Sequence, residues 1–176
     1  MGYQICFQQQ LKKTEYLTLT ILVFLLQVHQ QVSIELLATL MPYPIMFESS
    51  RRGIQRFLKL PIIKIEKLWF PLIKYILIIY FKNKKELMVA INRTQWRDKN
   101  IFVISLIWEH RSLPLYWQIL SKKGSSNLQE QQLLIPPIVR LLKKYQIVIL
   151  GDREFGSVKL ARWLCKKNVI PSCILM

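Results

Sequence analysis

The chain has 176 residues, 52% of them hydrophobic and 20% charged, which excludes disorder as its main state and allows one domain, or one domain with a helical appendage. Lys and Arg number 26 against 10 Asp and Glu, a formal charge of +16 with a pI near 10.0, so a polyanionic partner is expected: DNA, RNA or an anionic membrane surface. Three cysteines without a CxxC pair and two histidines argue against a disulfide scaffold or a structural zinc site, and point to a reduced, cytoplasmic protein.

Mean hydropathy is +0.22, so a membrane origin has to be weighed. The most apolar stretch, Leu17 to Val28, is about 12 residues long, short of the roughly 20 that a spanning helix needs. The next, Leu60 to Phe81, is interrupted by Lys64, Glu66, Lys67 and Lys74, each costing roughly 2.5–3.5 kcal/mol at mid-membrane. Neither reads as a membrane span, and the amino terminus has no signal-peptide pattern.

Residues 1–86 read as helical. Tyr16 to Gln30 is expected to be a buried helix, and Ser33 to cap a second one, SIELLATL, with Glu35 near the positive end of its dipole. Pro42 and Pro44 end that segment. Glu48 opens a helix to about Lys59, with Ile54, Phe57 and Leu58 on one side and Arg51, Arg52, Arg56 and Lys59 mostly on the other. Ile65 to Phe81 predicts one more helix, kinked or started by Pro71. Two short helices joined by a proline turn, the second one basic, suggest a helix-turn-helix-like DNA binder; a solvated helix face is the alternative.

Residues 87–176 change character. LMVAI (87–91), IFVISLIW (101–108) and SLPLYWQIL (112–120) read as strands, with a turn at Glu109 to Arg111 and Pro114 suggesting an edge or a bulge. Asn127 can cap a helix to about Tyr145 that Pro136 and Pro137 kink or divide. IVIL (147–150) reads as a buried strand, Ser157 to Lys167 as a helix, and Val169 to Leu175 as a last strand. The order is β-β-β-α-β-α-β, that of an RNase H-like α/β fold, in which the fourth strand lies beside the first. Asn92 and Asp152 then fall near each other, although sixty residues apart.

Asp152 follows four buried strand residues and Gly151, at the strand end where open α/β sheets place their sites. It is a candidate ligand for Mg²⁺, which prefers oxygen donors; the alternative is a turn-capping aspartate. Glu154, two residues on, either contributes or points away. The isolated His29 and His110 read as structural or exposed. Trp96, Trp108, Trp117 and Trp163 read as core or rim aromatics. Arg153 could orient Asp152, bind phosphate or pair with Glu154 or another neighbour.

INRTQW (91–96), ISLIWEHRSLPLYW (104–117), KKGSSNLQEQ (122–131) and LGDREFGSVKLARWL (150–164) resemble the insertion-sequence-four group of DDE transposases. PYPIMFESSRRGIQRFLKLP (42–61) is similar to that group's amino-terminal region. The resemblance covers nearly the whole chain from about Tyr16. It implies a helical, DNA-binding region over 1–86 and a partial RNase H-like catalytic domain over 87–176. It also implies two Mg²⁺ ions on three carboxylates, and DNA partners at the ends of a mobile element. Asp152 matches the second carboxylate. Asn92 falls where the motif, in the form DRTQW, has the first; an amide offers one neutral oxygen and no charge. The third, a glutamate, belongs to a helix beyond Met176. The expectation is a truncated transposase that does not cut DNA alone, or a DNA-binding remnant that interferes with an intact relative, as a homo-oligomer or a hetero-oligomer with it. Arg93, Arg97 and Arg153 join Arg51, Arg52, Arg56 and Lys59 as candidate DNA contacts, and no membrane partner is expected.

Overall fold

The computed structural model describes residues 2–120 and 124–173; of Gly2, Tyr3, Trp96 and Cys173 only the backbone is described. The chain divides into two compact units, residues 1–75 and 76–176.

The first unit is helical: α1 (Gly2–Gln8), α2 (Lys13–His29), α3 (Ile34–Thr39) and α4 (Phe47–Leu58), then a wide helical turn at Ile65–Trp69 that leads into α5 (Phe70–Tyr80). The helix α1 has no counterpart in the periodicity reading, because GYQICFQ is too short to show a repeat. Ser33 caps α3 as expected, its Oγ accepting from the Leu36 amide at 3.3 Å. Leu22 and Leu25 of α2 meet Leu37 and Ala38 of α3 and Ile54 and Phe57 of α4 in one apolar core. Seven residues link α3 to α4, more than the three or four of a DNA-binding helix-turn-helix. Pro71 stands at the second position of α5, directly after the wide turn, in which the Phe70 amide still donates to the Ile65 carbonyl; its missing N–H falls where the helical hydrogen-bond register changes.

The second unit is a mixed five-stranded sheet with helices. Its strands are β1 (Glu86–Trp96), β2 (Lys99–Trp108), β3 (Arg111–Leu120), β4 (Gln146–Gly151) and β5 (Val169–Cys173), in the order β3-β2-β1-β4-β5. β1, β2 and β3 are antiparallel neighbours; β4 runs parallel to β1, and β5 parallel to β4. β1 is longer than LMVAI alone suggests. It carries the NRTQW motif into a hairpin with β2, turned by Arg97 and Asp98 with Arg97 at φ 58°. Antiparallel pairing to β2 supplies backbone partners for these polar residues, which hydrophobic periodicity does not reveal. The last strand is described to Cys173; the expected extension to Leu175, and Ser121 to Lys123 of the loop after β3, lie outside the described residues.

Side chains alternate across the sheet. Leu87, Val89 and Ile91 of β1, Phe102, Ile104 and Leu106 of β2, Ile147 and Ile149 of β4 and Val169 of β5 are all buried on one face. The helical side of this core comes from α6 (Leu128–Leu134), α7 (Pro136–Leu141) and α8 (Val158–Cys165), with Leu134, Ile138, Leu160 and Leu164. Pro136 divides the helix after Asn127 into α6 and α7. Asn127 closes a capping box with Glu130, at 2.9 and 2.8 Å. Trp108 packs against Tyr80 and Phe81, with ring centroids 4.8 and 5.4 Å apart, as a rim aromatic. His29 and His110 are exposed. No helix among the described residues is long and apolar enough to cross a membrane.

Candidate functional site

Backbone pairing makes this site. β1 and β4 are parallel, with Ile91 opposite Gly151. One residue further along each strand stand Asn92 and Asp152, on chains about 4.8 Å apart as neighbouring strands are. Asp152 keeps an extended backbone (φ −75°, ψ −173°), so it prolongs the line of β4. Both residues are exposed, and both line an open cleft of about 700 Å³ with Ala90, Ile107, Leu150, Arg153 and Glu154. The cleft lies at the carboxyl end of β4 and beside the middle of β1, where the sheet order reverses, a place at which open α/β sheets receive ligands.

Gly151 permits this turn. A Cβ there would stand 2.7 Å from Phe155 Cβ and 3.1 Å from Ile91 Cγ2. With glycine, Phe155 closes over the strand end, its ring 6.0 Å from that of Phe102. Asp152 caps the short 3₁₀ turn Arg153–Phe155, its Oδ1 accepting from the Glu154 amide at 2.9 Å.

Glu154 points away from metal chemistry. Its Oε2 pairs with Arg93 Nε at 2.5 Å, and its Oε1 accepts from the Ser126 amide at 2.8 Å and from the Ser126 hydroxyl. Gln131 Nε2 donates to the Glu154 carbonyl at 3.1 Å and to Ser126 Oγ at 2.9 Å. Arg93 also donates to Asn100 Oδ1 at 3.0 Å, and Asn100 Nδ2 donates to the Gly124 carbonyl at 2.7 Å. The side chains of Arg93 and Glu154 are only 21% and 13% exposed. This network joins β1, β2, the loop before α6 and the turn after β4. Sequence reasoning missed it, because its members are 61 and 28 residues apart and no local motif links them.

Burial works to raise the Glu154 carboxyl. The hydrogen bonds from the Ser126 hydroxyl and amide outweigh it together with the bond and charge of Arg93, and hold the group below its ordinary 4.5. A depressed folded-state pKa contributes stability above the unfolded value, and that contribution is lost as pH falls through the folded value. In urea titrations, the wild type is expected to lose stability below about pH 4.5 relative to Glu154→Gln, with a constant gap between them from pH 5.5 to 7. Parallel curves down to pH 3 would show that Glu154 does not carry this charge.

The candidate DNA contacts separate. Arg52, Arg56 and Lys59 share a shallow groove on α4 with Ser49 and Gln55, of about 440 Å³. Arg52 reaches Glu48 only at 4.0 Å, an exposed i,i+4 pair of little weight. Arg51 is half-buried and does not line that groove. Arg153 lies on the cleft beside Asp152, and Arg97 is exposed at the β1–β2 turn. Arg93 is engaged by Glu154 and Asn100.

The donors of the cleft can be tested against the pair of Mg²⁺ ions that the motif resemblance implies. Asp152 supplies one carboxylate and Asn92 a neutral amide, while both oxygens of Glu154 are committed to Ser126 and Arg93. No three His, Cys, Asp or Glu side chains cluster as a metal site among the described residues. Two divalent cations need more negative charge than this, and the described residues do not fit them.

No family model matches the chain, and no curated protein matches it. Two solved structures are similar over 85% of this chain. They are a Mos1 strand transfer complex, 15% identical with a TM-score of 0.33, and a pre-cleavage Mos1 transpososome, 12% identical with the same score. The chain covers 56% and 57% of theirs, just over half their length. Likeness at this level carries no argument about fold or function.

Proposed function

We propose that this chain is a DNA-binding protein of the DDE transposase kind, built on an RNase H-like sheet, that grips DNA and does not cut it. The observation that carries the reading is the meeting of Asn92 and Asp152 at the mouth of one cleft, brought together by the parallel pairing of β1 with β4. The INRTQW and LGDREFG motifs supply these two residues. The groove on α4, with Arg52, Arg56 and Lys59, supports phosphate contact from the helical unit. With an amide at position 92 the cleft lacks the charge that metal-assisted phosphoryl transfer uses. Binding at an element's terminal repeats in this way competes with an intact relative for the same DNA.

The test uses purified full chain, a labelled duplex and 5–10 mM Mg²⁺, a range that is on the order of that used for two-metal enzymes. Retardation that falls steeply with salt is expected, and no nicked product. Asn92→Asp is expected to bind equally and still leave the duplex intact. Nicking by the wild type would overturn the reading that this chain does not cut DNA, nicking by the variant would overturn the reading that a third carboxylate is also missing, and no retardation at about 50 mM salt would overturn the DNA reading.

A further inference from the structure

The loop from α3 to α4 turns its last apolar residues outward. Leu40 and Met41 still pack against the core of the helical unit. Ile45, Met46 and Phe47 then follow one another with 52%, 82% and 42% of their surface exposed. Their backbone is held on both sides. The Ile45 amide donates to the Tyr43 carbonyl at 2.8 Å, closing a three-residue turn on Pro44, whose fixed φ suits it. The Met46 carbonyl accepts from the Ser49 and Ser50 amides at 2.9 and 3.1 Å, which ties the tip to the first turn of α4. A tip already fixed in this way loses little backbone freedom when a partner covers it.

The surroundings of the tip select the partner. From Leu36 to Ile65 the bases are Arg51, Arg52, Arg56, Lys59 and Lys64, and the acid is Glu48 alone. Met46 stands at the amino end of the helix whose groove holds Arg52, Arg56 and Lys59. At about 1.5 Å per residue Lys59 lies about 20 Å from it along the axis, the length of about six base-pair steps. A partner that meets both must be polyanionic outside and apolar inside. Duplex DNA is both: it offers phosphates to the groove and stacked bases that an apolar side chain can part. An anionic membrane fits less well, because the apolar side of α4, with Ile54 and Phe57, is buried in the core and leaves the helix no free face for lipid.

We infer that Met46, backed by Ile45, is a wedge that opens a base step of the duplex gripped along α4 and kinks it. This rests on the DNA reading and adds how the duplex is deformed. Wedges of this kind kink DNA by about 20–90°. Pyrimidine–purine steps open most easily, so a duplex with central TA steps is expected to bend more than an A-tract. The experiment is energy transfer between dyes at the two ends of a duplex of roughly 20–30 bp, bound by the full chain, with gel retardation of the same complexes. The wild type is expected to raise the transfer. Met46→Ser is expected to abolish the rise while affinity stays within about tenfold and the salt slope is kept, because the three phosphate contacts remain. Met46→Leu, still apolar and of similar size, is expected to bend the duplex. Val32→Ser, at a residue 91% exposed between α2 and α3, is the contrast and is expected to bend it as the wild type does. A wild-type complex that retards the duplex without raising the transfer would overturn the wedge and leave the DNA reading standing. So would a bend indifferent to both Met46→Ser and Ile45→Ser. No complex at all would overturn both readings. Phosphatidylserine vesicles that bind the wild type but not Met46→Ser, with the DNA bend unchanged, would overturn the wedge and assign the tip to a membrane surface.

Discussion

Replacing Arg52, Arg56 and Lys59 together by alanine is expected to lower duplex DNA affinity on the order of 10²-fold at physiological salt. The three side chains line one groove of α4, so a single duplex backbone can meet all of them. Each phosphate contact contributes about 0.9 to the slope of log affinity against log salt, so the slope is expected to flatten by roughly 2.7. The loss should be the same for any sequence, because phosphate contacts position a protein without reading bases. Stability should stay unchanged, since the one ion pair among these residues, Arg52 with Glu48, is long and exposed. Fluorescence anisotropy against a salt series measures both quantities. A triple variant with the wild-type slope would move the DNA contact away from α4. Arg51→Ala serves as the contrast: it is half-buried and outside the groove, and a slope change near zero is expected.

Glu154→Ala is expected to destabilise the sheet unit by about 2–3 kcal/mol. The carboxylate answers three donors from Arg93 and Ser126, in a position that is largely shielded from water. Its removal strands the guanidinium of Arg93, whose side chain is only 21% exposed. Arg93→Ala is expected to cost a similar amount, and the double variant less than the sum, with a coupling of about 1–3 kcal/mol. Denaturant unfolding of the four proteins reads this directly. Additive losses would mean that the pair is incidental to the fold. The same network explains why the two acidic residues after Gly151 have different fates. Asp152 lies at the cleft and Glu154 is held in the network with Arg93, although they are two positions apart.

Much of the layout was legible in the chain itself. The β-branched runs at 101–108 and 147–150 mark β2 and β4, Ser33 and Asn127 mark helix starts, and Pro136 marks the break between α6 and α7. These features are local: a cap, a period of two and a missing N–H act within a few residues. The length of β1 was not legible, because its polar half, NRTQW, is held by pairing with β2 rather than by an apolar pattern. Nor was the role of Arg93, which reads as a phosphate contact in sequence and is an internal ion-pair partner in the fold.

By itself the sequence determined the strong positive charge, the helical and strand segments, and the motifs that hold Asn92 and Asp152. Only the tertiary structure decided that these two share a cleft and that the carboxylate of Glu154, on the lining of that cleft, is engaged by Arg93 and Ser126. The physical reason is range. Propensity and periodicity act along the chain, whereas parallel strand pairing, buried ion pairs and uncovered faces depend on residues that meet only after folding.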